Sequence, residues 1–191
     1  MKDIIILNGP PGSGKDAICN RLHLLLGTNK IRHLEVKHRL FELCLAISGL
    51  DENTWWSLYN DRALKETPNS WLAGKTPRQF MIHVSENVMK PLYGDNYFGK
   101  YAAQQASEAE QPLLVFSDGG FPTEVEALSS VGYIHLVHLY RAGCSFAGDS
   151  RSYIDPNLKC LSTFLEVHQV EGRLGLAVST IFNHILDWRS K

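Results

Sequence analysis

Gly9, Gly12, Ser13, Gly14, Lys15 and Asp16 form a Gly-x-x-x-x-Gly-Lys spacing directly after a short apolar run at residues 4–7. Glycines so spaced let backbone N–H groups turn inward around an anion, and the lysine adds a mobile positive charge. A helix that starts there points the positive end of its dipole at the same place. The chemistry implied is binding of a nucleoside triphosphate, with Lys15 and the amides of residues 12–14 on the β- and γ-phosphates. Gly9 and Ala17 bound the same nucleotide-binding segment. Asp16 stands where a Ser or Thr hydroxyl usually meets magnesium. A carboxylate beside triphosphate oxygens is repelled unless a cation lies between them, so Asp16 is expected to be a magnesium partner. The alternative is that it only favours the helix N-terminus through the dipole, worth ~0.3–1 kcal/mol.

Other residues could complete phosphoryl-transfer chemistry, which asks a protein mainly to position two substrates and neutralise charge on the moving group. Asp118 follows the apolar run 112–117 and is expected to act on magnesium directly or through its water; a turn aspartate before Gly119 and Gly120 is the alternative. Arg141 and Arg151 flank a loop at 142–156 rich in Gly, Ser and Asp, and arginine forks suit a multi-oxygen charge. They are the expected catalytic side chains beside Lys15. Lys37 and Arg78 are expected to grip the phosphate of an acceptor. His83 reads as a packed or solvated histidine, and most of Trp55, Trp56, Trp71, Tyr93 and Tyr97 as packing. A Trp55–Trp56 apolar patch would suit either a partner subunit or an acceptor.

The elements that must position these residues follow from periodicity. Ile18, Leu22, Leu25 and Leu26 have helical spacing after the glycines, and Gly27 stops that helix. A second strand spans 31–36, leaving Lys37 at its end. A helix closing at Ser48 and Gly49 precedes a short one that Asp51 caps. Thr76 and Pro77 start a helix with Arg78 in its first turn. A helix over 96–106 leads to the buried strand at 112–117, and another from Phe121 stops at Gly132. Strands follow at 133–140, ending in Arg141, and at 165–170. The closing helix carries a stripe of Leu176, Val178, Ile181, Phe182, Ile185 and Leu186. Strands alternating with helices predict a parallel sheet covered on both faces, with ligands at the strands' carboxyl ends. Residues 9–16, Lys37, Asp118 and Arg141 all fall at such ends.

The 191 residues suit one domain, and 20% charged with 44% apolar residues is an ordinary globular composition. A net charge of −1 gives no footprint for duplex nucleic acid or an anionic membrane. Cys19, Cys44, Cys144 and Cys160 lack zinc or disulfide spacing, and no signal-peptide stretch or bilayer-length run is present. A cytoplasmic location is the expectation.

Several segments resemble the deoxynucleoside monophosphate kinases typical of bacteriophages, within the wider nucleoside monophosphate kinase group. GSGKDA at 12–17 looks like that family's P-loop, and VKHRLFELCLAISGLDE at 36–52 like its helix after the second strand. KTPRQFMIHVSENVMKPLYGDNYF at 75–98 is similar to its Thr-Pro-Arg helix. VFSDGGFPTEVEALSSVG at 115–132 is similar to its strand-Asp-x-Arg-Phe-Pro-x-Glu block, and RAGCSFAGDSRSY at 141–153 to its lid. The family's arginine in the first of these last two is Gly120 here, and its lid histidine and glutamate are Arg151 and Tyr153. Arg151 is therefore a candidate to replace the arginine missing at 120. Ala17 replaces a threonine whose hydroxyl would reach an α-phosphate.

The resemblance implies a three-layer P-loop NTPase fold of about five parallel strands in a single domain. Within it would lie a monophosphate-binding helical region at about 37–100 and a lid at about 141–156. It implies magnesium- and ATP-dependent phosphoryl transfer to a (deoxy)nucleoside monophosphate, giving the diphosphate and ADP. From the net charge, no duplex nucleic acid or membrane is expected as a partner. A homodimer is left open. Two rival readings are a P-loop kinase of another small phosphorylated metabolite and a nucleotide-binding regulator with weakened catalysis.

Overall fold

The computed structural model describes residues 1–149 and 151–190. In chain order the elements are β1 (Lys2–Asn8), α1 (Lys15–Leu26), β2 (Ile31–Leu34), α2 (His38–Ser48), α3 (Glu52–Asn60) and α4 (Arg62–Lys65). Then come a 3-10 turn (Ser70–Leu72), α5 (Pro77–Ile82), a π-helical stretch (His83–Met89), α6 (Lys90–Tyr93), α7 (Tyr97–Glu108) and β3 (Leu113–Phe116). The chain ends with α8 (Pro122–Ser129), β4 (Gly132–Arg141), β5 (Leu161–Gln169) and α9 (Leu174–Arg189). It divides into two compact units, one of residues 1–36 and 99–191, the other of residues 37–98.

The first unit holds an open sheet in the order β2-β3-β1-β4-β5, with every pairing parallel. Parallel strands are buried on both faces, which is why Ile4, Ile5, Ile6 and Leu7 are all apolar and fully buried. Ile5 and Leu7 share one face with Val115, Val137 and Leu139, packed against Ile18 and Leu22 of α1 and Val178, Ile181 and Ile185 of α9. Ile4 and Ile6 point the other way by strand alternation, the side of α7 and α8, where Gly99 lies against the backbone of Glu124. Each fully buried Ile or Leu contributes ~1.5–3 kcal/mol relative to exposure. Helix, sheet and helix form the three layers expected, with the glycine loop between β1 and α1: the P-loop NTPase arrangement.

The second unit is helical. Asp51 caps α3 by accepting from the Thr54 amide at 3.0 Å, and Thr76 with Gln79 forms a capping box at the start of α5. Trp55 is fully buried, stacked on Tyr59 and beside Phe80. Phe41 lies edge-on to both Trp56 and Tyr59. The expected Trp55–Trp56 surface patch is thus corrected: adjacent helical residues point about 100° apart, and Trp55 takes the inward position. Trp71 is the exposed tryptophan of this unit.

Several boundaries also differ from expectation. β2 stops at Leu34, so Lys37 is the residue preceding α2 rather than a strand end. Gly132 opens β4 instead of closing the preceding helix, which ends at Ser129. β5 begins four residues before 165 and leaves out Val170. It is an edge strand, half-buried and rich in polar residues, so hydropathy hides its first half. Leu25, Leu176 and Leu186 are exposed; α1 buries Cys19, and α9 buries Ala177, in the faces that the stripes assigned to them.

Candidate phosphate and cation site

Gly12 and Gly14 adopt φ values of +79° and +88°, a backbone that L side chains rarely take. Gly14 sits immediately before α1, and a Cβ on it would crowd the Gln169 amide. That amide donates to the Ser13 carbonyl at 2.7 Å, tying the end of β5 to the loop. A Cβ on Gly9 would lie 2.8 Å from both the Leu139 carbonyl oxygen and Ser13 Oγ, so glycine is required there by space alone. Ser13 is fully buried, whereas Asp16 and Ala17 are exposed at the start of α1. Lys15 Nζ donates to the carbonyls of Gly9 at 2.6 Å and Pro10 at 2.7 Å and to Ser13 Oγ at 3.3 Å. The lysine ammonium therefore folds back over its own loop, with the helix dipole behind it.

Arg141 ends β4, and its guanidinium donates to the Gly12 carbonyl at 3.2 Å, which brings it to the glycine loop. Arg151 makes a forked pair with Asp149, Nε to Oδ1 at 2.9 Å and Nη2 to Oδ2 at 2.7 Å. The hydrogen bond to Asp149, helped by the charges of Asp149, Asp118 and Glu124, holds Arg151 above its ordinary pKa despite burial. A Cβ built on Gly120 would run into Cδ and Cγ of Arg151. The stem of Arg151 thus fills the space in which an arginine at 120 would begin. Ser150, inside the expected lid, lies outside the described residues.

Asp118 is buried, and its Oδ1 accepts from the Val36 amide at 2.9 Å. Asp16 approaches a different pair: it, His33 and Glu35 each offer one ligand atom, and these atoms lie within 4.8 Å of one another. His33 Nε2 is 2.8 Å from Ser117 Oγ at the end of β3. The carboxylates of Asp16 and Glu35 suit the magnesium implied by the sequence, with the His33 imidazole beside them. Cys19, beneath them, has its thiol pushed far up by burial and then by the negative charge of Asp16, Asp118 and Glu35.

Glu124 accepts from the amides of Gly120 and Phe121 at 3.0 and 3.1 Å, closing the turn after Asp118. Burial and the nearby Asp118 charge nonetheless raise its pKa to about 7.

Lys37 and Arg78 belong to the second unit. Lys37 Nζ is 5.8 Å from the Phe41 ring centre, and Arg78 Nε donates to Glu66 at 2.6 Å in an exposed pair. Sequence reading missed His33 and Glu35, although their place at the end of a parallel strand was a usable signal. It also missed Asn8, whose side chain accepts from Ile154 N at 3.0 Å and donates to the Ser152 carbonyl at 3.2 Å. Gln169 was missed as well; no local pattern marks either amide.

No family model matches the chain, and no curated protein matches it. Among solved structures it is similar to a shikimate kinase from Acinetobacter baumannii in complex with shikimate, at 15% identity and a TM-score of 0.49, covering 100% of this chain and 96% of that one. It is also similar to a gluconokinase from Sinorhizobium meliloti, at 14% identity and 0.43, covering 100% and 98%. A sugar kinase from a Janibacter species follows at 9% and 0.41, covering 100% and 95%. All three are kinases by name, and none is named a deoxynucleoside monophosphate kinase. The strand order β2-β3-β1-β4-β5 and the glycine loop after β1 define the fold. Among the described residues, no helix is long and apolar enough to cross a membrane.

Proposed function

We propose that this chain is an ATP-dependent kinase that transfers the γ-phosphoryl group to a small anionic acceptor, a (deoxy)nucleoside monophosphate being the first reading. The observation that carries it is the glycine loop between β1 and α1, with left-handed Gly12 and Gly14, Lys15 Nζ over the loop and Arg141 on the Gly12 carbonyl. In this reading the loop amides and Lys15 hold the donor's phosphates. Arg141 and Arg151 neutralise charge on the transferring group, as forked donors suit it. Asp16, Glu35 and His33 are the residues that would hold the divalent ion, with Asp118 nearby in charge; when bound, such an ion draws charge from the β- and γ-oxygens.

Lys37 and Arg78 are proposed to bind the acceptor's anionic group, Arg78 exchanging its exposed Glu66 partner for it. A phosphate acceptor is already ionised near neutral pH and needs no strong base, so positioning and charge neutralisation suffice. A second reading keeps the donor side and takes a small hydroxylated carboxylate or phosphorylated metabolite as acceptor. Shikimate kinase and gluconokinase, to which the chain is similar, are by name kinases of acceptors of that kind. Acceptor-dependent ADP release, measured across nucleoside monophosphates and hydroxylated carboxylic acids, tests both. Release with a monophosphate supports the first reading, and release only with a hydroxylated acid replaces it. Nucleotide binding with no release on any acceptor refutes both in favour of a regulator.

A further inference from the structure

The two edges of the sheet are guarded differently. β2 is four residues long and carries an exposed Arg32, both of which discourage another chain from pairing with it. β5 is nine residues long with neither lysine nor proline, and among the described residues it pairs with β4 alone. Its outer N–H and C=O groups are therefore a template for a further strand. A cleft of about 120 Å³ beside it is lined by Glu166, His168, Val170, Leu176 and Thr180, of which Val170 and Leu176 are large exposed apolar residues.

The residues of β5 decide which strand fits. Glu166 and His168 are its exposed members, and being two apart they stand on one face of the sheet. Tyr140 of β4 holds both: its hydroxyl donates to Glu166 Oε1 at 3.1 Å, and its ring stacks on His168 with centroids 4.9 Å apart. A carboxylate accepts through two oxygens, so Glu166 can take a further donor, and an imidazole N–H supplies one.

Two copies related by a twofold axis normal to the sheet would pair their β5 strands antiparallel, with one residue on the axis facing its own copy. An axis at Glu166 sets two carboxylates against each other, which destabilises a strand pair. An axis at His168 leaves Glu166 facing Val170, and an axis at Leu165 leaves it facing Phe164. With Val167 on the axis, Glu166 of each copy faces His168 of the other, and symmetry makes the pair twice. The strand is self-complementary in charge in that register.

We propose that the outer edge of β5 is a self-association surface on which a second copy of this chain pairs antiparallel about Val167. The sheet then runs through both copies, main-chain hydrogen bonds supply affinity, and the two Glu166–His168 cross pairs fix the register. This association is independent of the kinase reading.

The test is sedimentation equilibrium of the full chain over a dilution series, with hydrogen exchange of the β5 amides at both ends of that series. The expected result is a reversible dimer whose formation protects amides within 163–169. Glu166→His and His168→Glu should each weaken the dimer ~10-fold, because each opposes like groups. The double variant, Glu166→His with His168→Glu, restores both cross pairs and should return affinity to within ~3-fold of the parent. Circular dichroism melting identifies any variant that loses association by unfolding; in that event the concentration-dependent protection of β5 in the parent chain decides. A chain monomeric to ~1 mM overturns the proposal. So does a dimer that leaves β5 amides unprotected, one indifferent to the single changes, or one that the double variant fails to restore.

Discussion

The two ends of the sheet treat polar groups in opposite ways. At the amino end, Asp3 is buried, with Oδ1 3.0 Å from His135 Nε2 and Oδ2 paired with the Arg189 guanidinium at the end of α9. The other ring nitrogen of His135 is 2.9 Å from Thr163 Oγ1. Each group there has a protein partner, and the set ties β1, β4, β5 and α9 together. At the carboxyl end, glycines hold the backbone open at positive φ, Lys15 lies on carbonyls of its own loop, and Asp16 comes within 4.8 Å of His33 and Glu35 at the surface. Polar groups that satisfy one another hold a fold together; polar groups that converge around a space are arranged for a ligand. This contrast is the physical basis for assigning chemistry to one end only.

The largest effect should come from the amino end and fall on stability alone. Asp3→Ala leaves His135 and Arg189 without their carboxylate, and removing one member of a buried pair costs about 3–5 kcal/mol, read by urea denaturation. Burial opposes the Asp3 charge, but the hydrogen bonds and charges of His135 and Arg189 outweigh it and lower its pKa below 3.8. Its stabilisation is therefore complete above that ordinary value and is lost as pH falls through the lowered folded one. Refolded Asp3→Ala should still bind nucleotide. Nearly as large, and opposite in kind, Lys15→Ala should cut ADP release by ~10²–10³-fold with little change in the denaturation midpoint.

A smaller effect separates the two arginine positions. Arg151→Ala should lower ADP release by ~10–100-fold. Gly120→Arg alone should also be impaired, because its Cβ would meet the Arg151 stem. The double variant Gly120→Arg with Arg151→Ala should recover rate relative to Arg151→Ala; no recovery would show that Arg151 does not stand in for an arginine at 120. The smallest effect concerns Glu124. Its folded pKa of about 7 lies above the ordinary 4.5, so the folded state holds the proton longer and stability falls as pH rises between those values. Glu124→Gln keeps an oxygen for the Gly120 and Phe121 amides and should flatten that part of the pH profile in thermal melts.

Much of the sheet was legible in the sequence because buried parallel strands are apolar on both faces, as residues 4–7 and 113–116 are. The glycine loop was legible because a turn with positive φ at Gly12 and Gly14 needs glycines at fixed spacing. Helix faces were less so: Leu25, Leu176 and Leu186 continue apolar stripes yet face outward, since an isolated helix does not reveal which edge of its stripe meets the sheet. The π-helical stretch at His83–Met89 interrupts a continuous apolar pattern and has no compositional mark. In the site, Lys15 and Arg141 could be named from local motif and strand end. His33 and Glu35 could not be joined to Asp16 without the β2-β3-β1 strand order, because that order, not the chain, makes them neighbours. Arg151 and Gly120 were linked only as a motif exchange until the side-chain stem filled the space above the glycine.

The most direct measurement is a titration of the isotope-labelled protein with a non-hydrolysable ATP analogue, read by amide chemical-shift changes. The account predicts saturable shifts at Gly12, Ser13, Gly14 and Lys15, extending to Asp16 and Arg141, with the amides of Asp3, His135 and Arg189 unmoved. Shifts centred on the Asp3–His135–Arg189 end, or no shifts at the glycine loop at millimolar analogue, would contradict it.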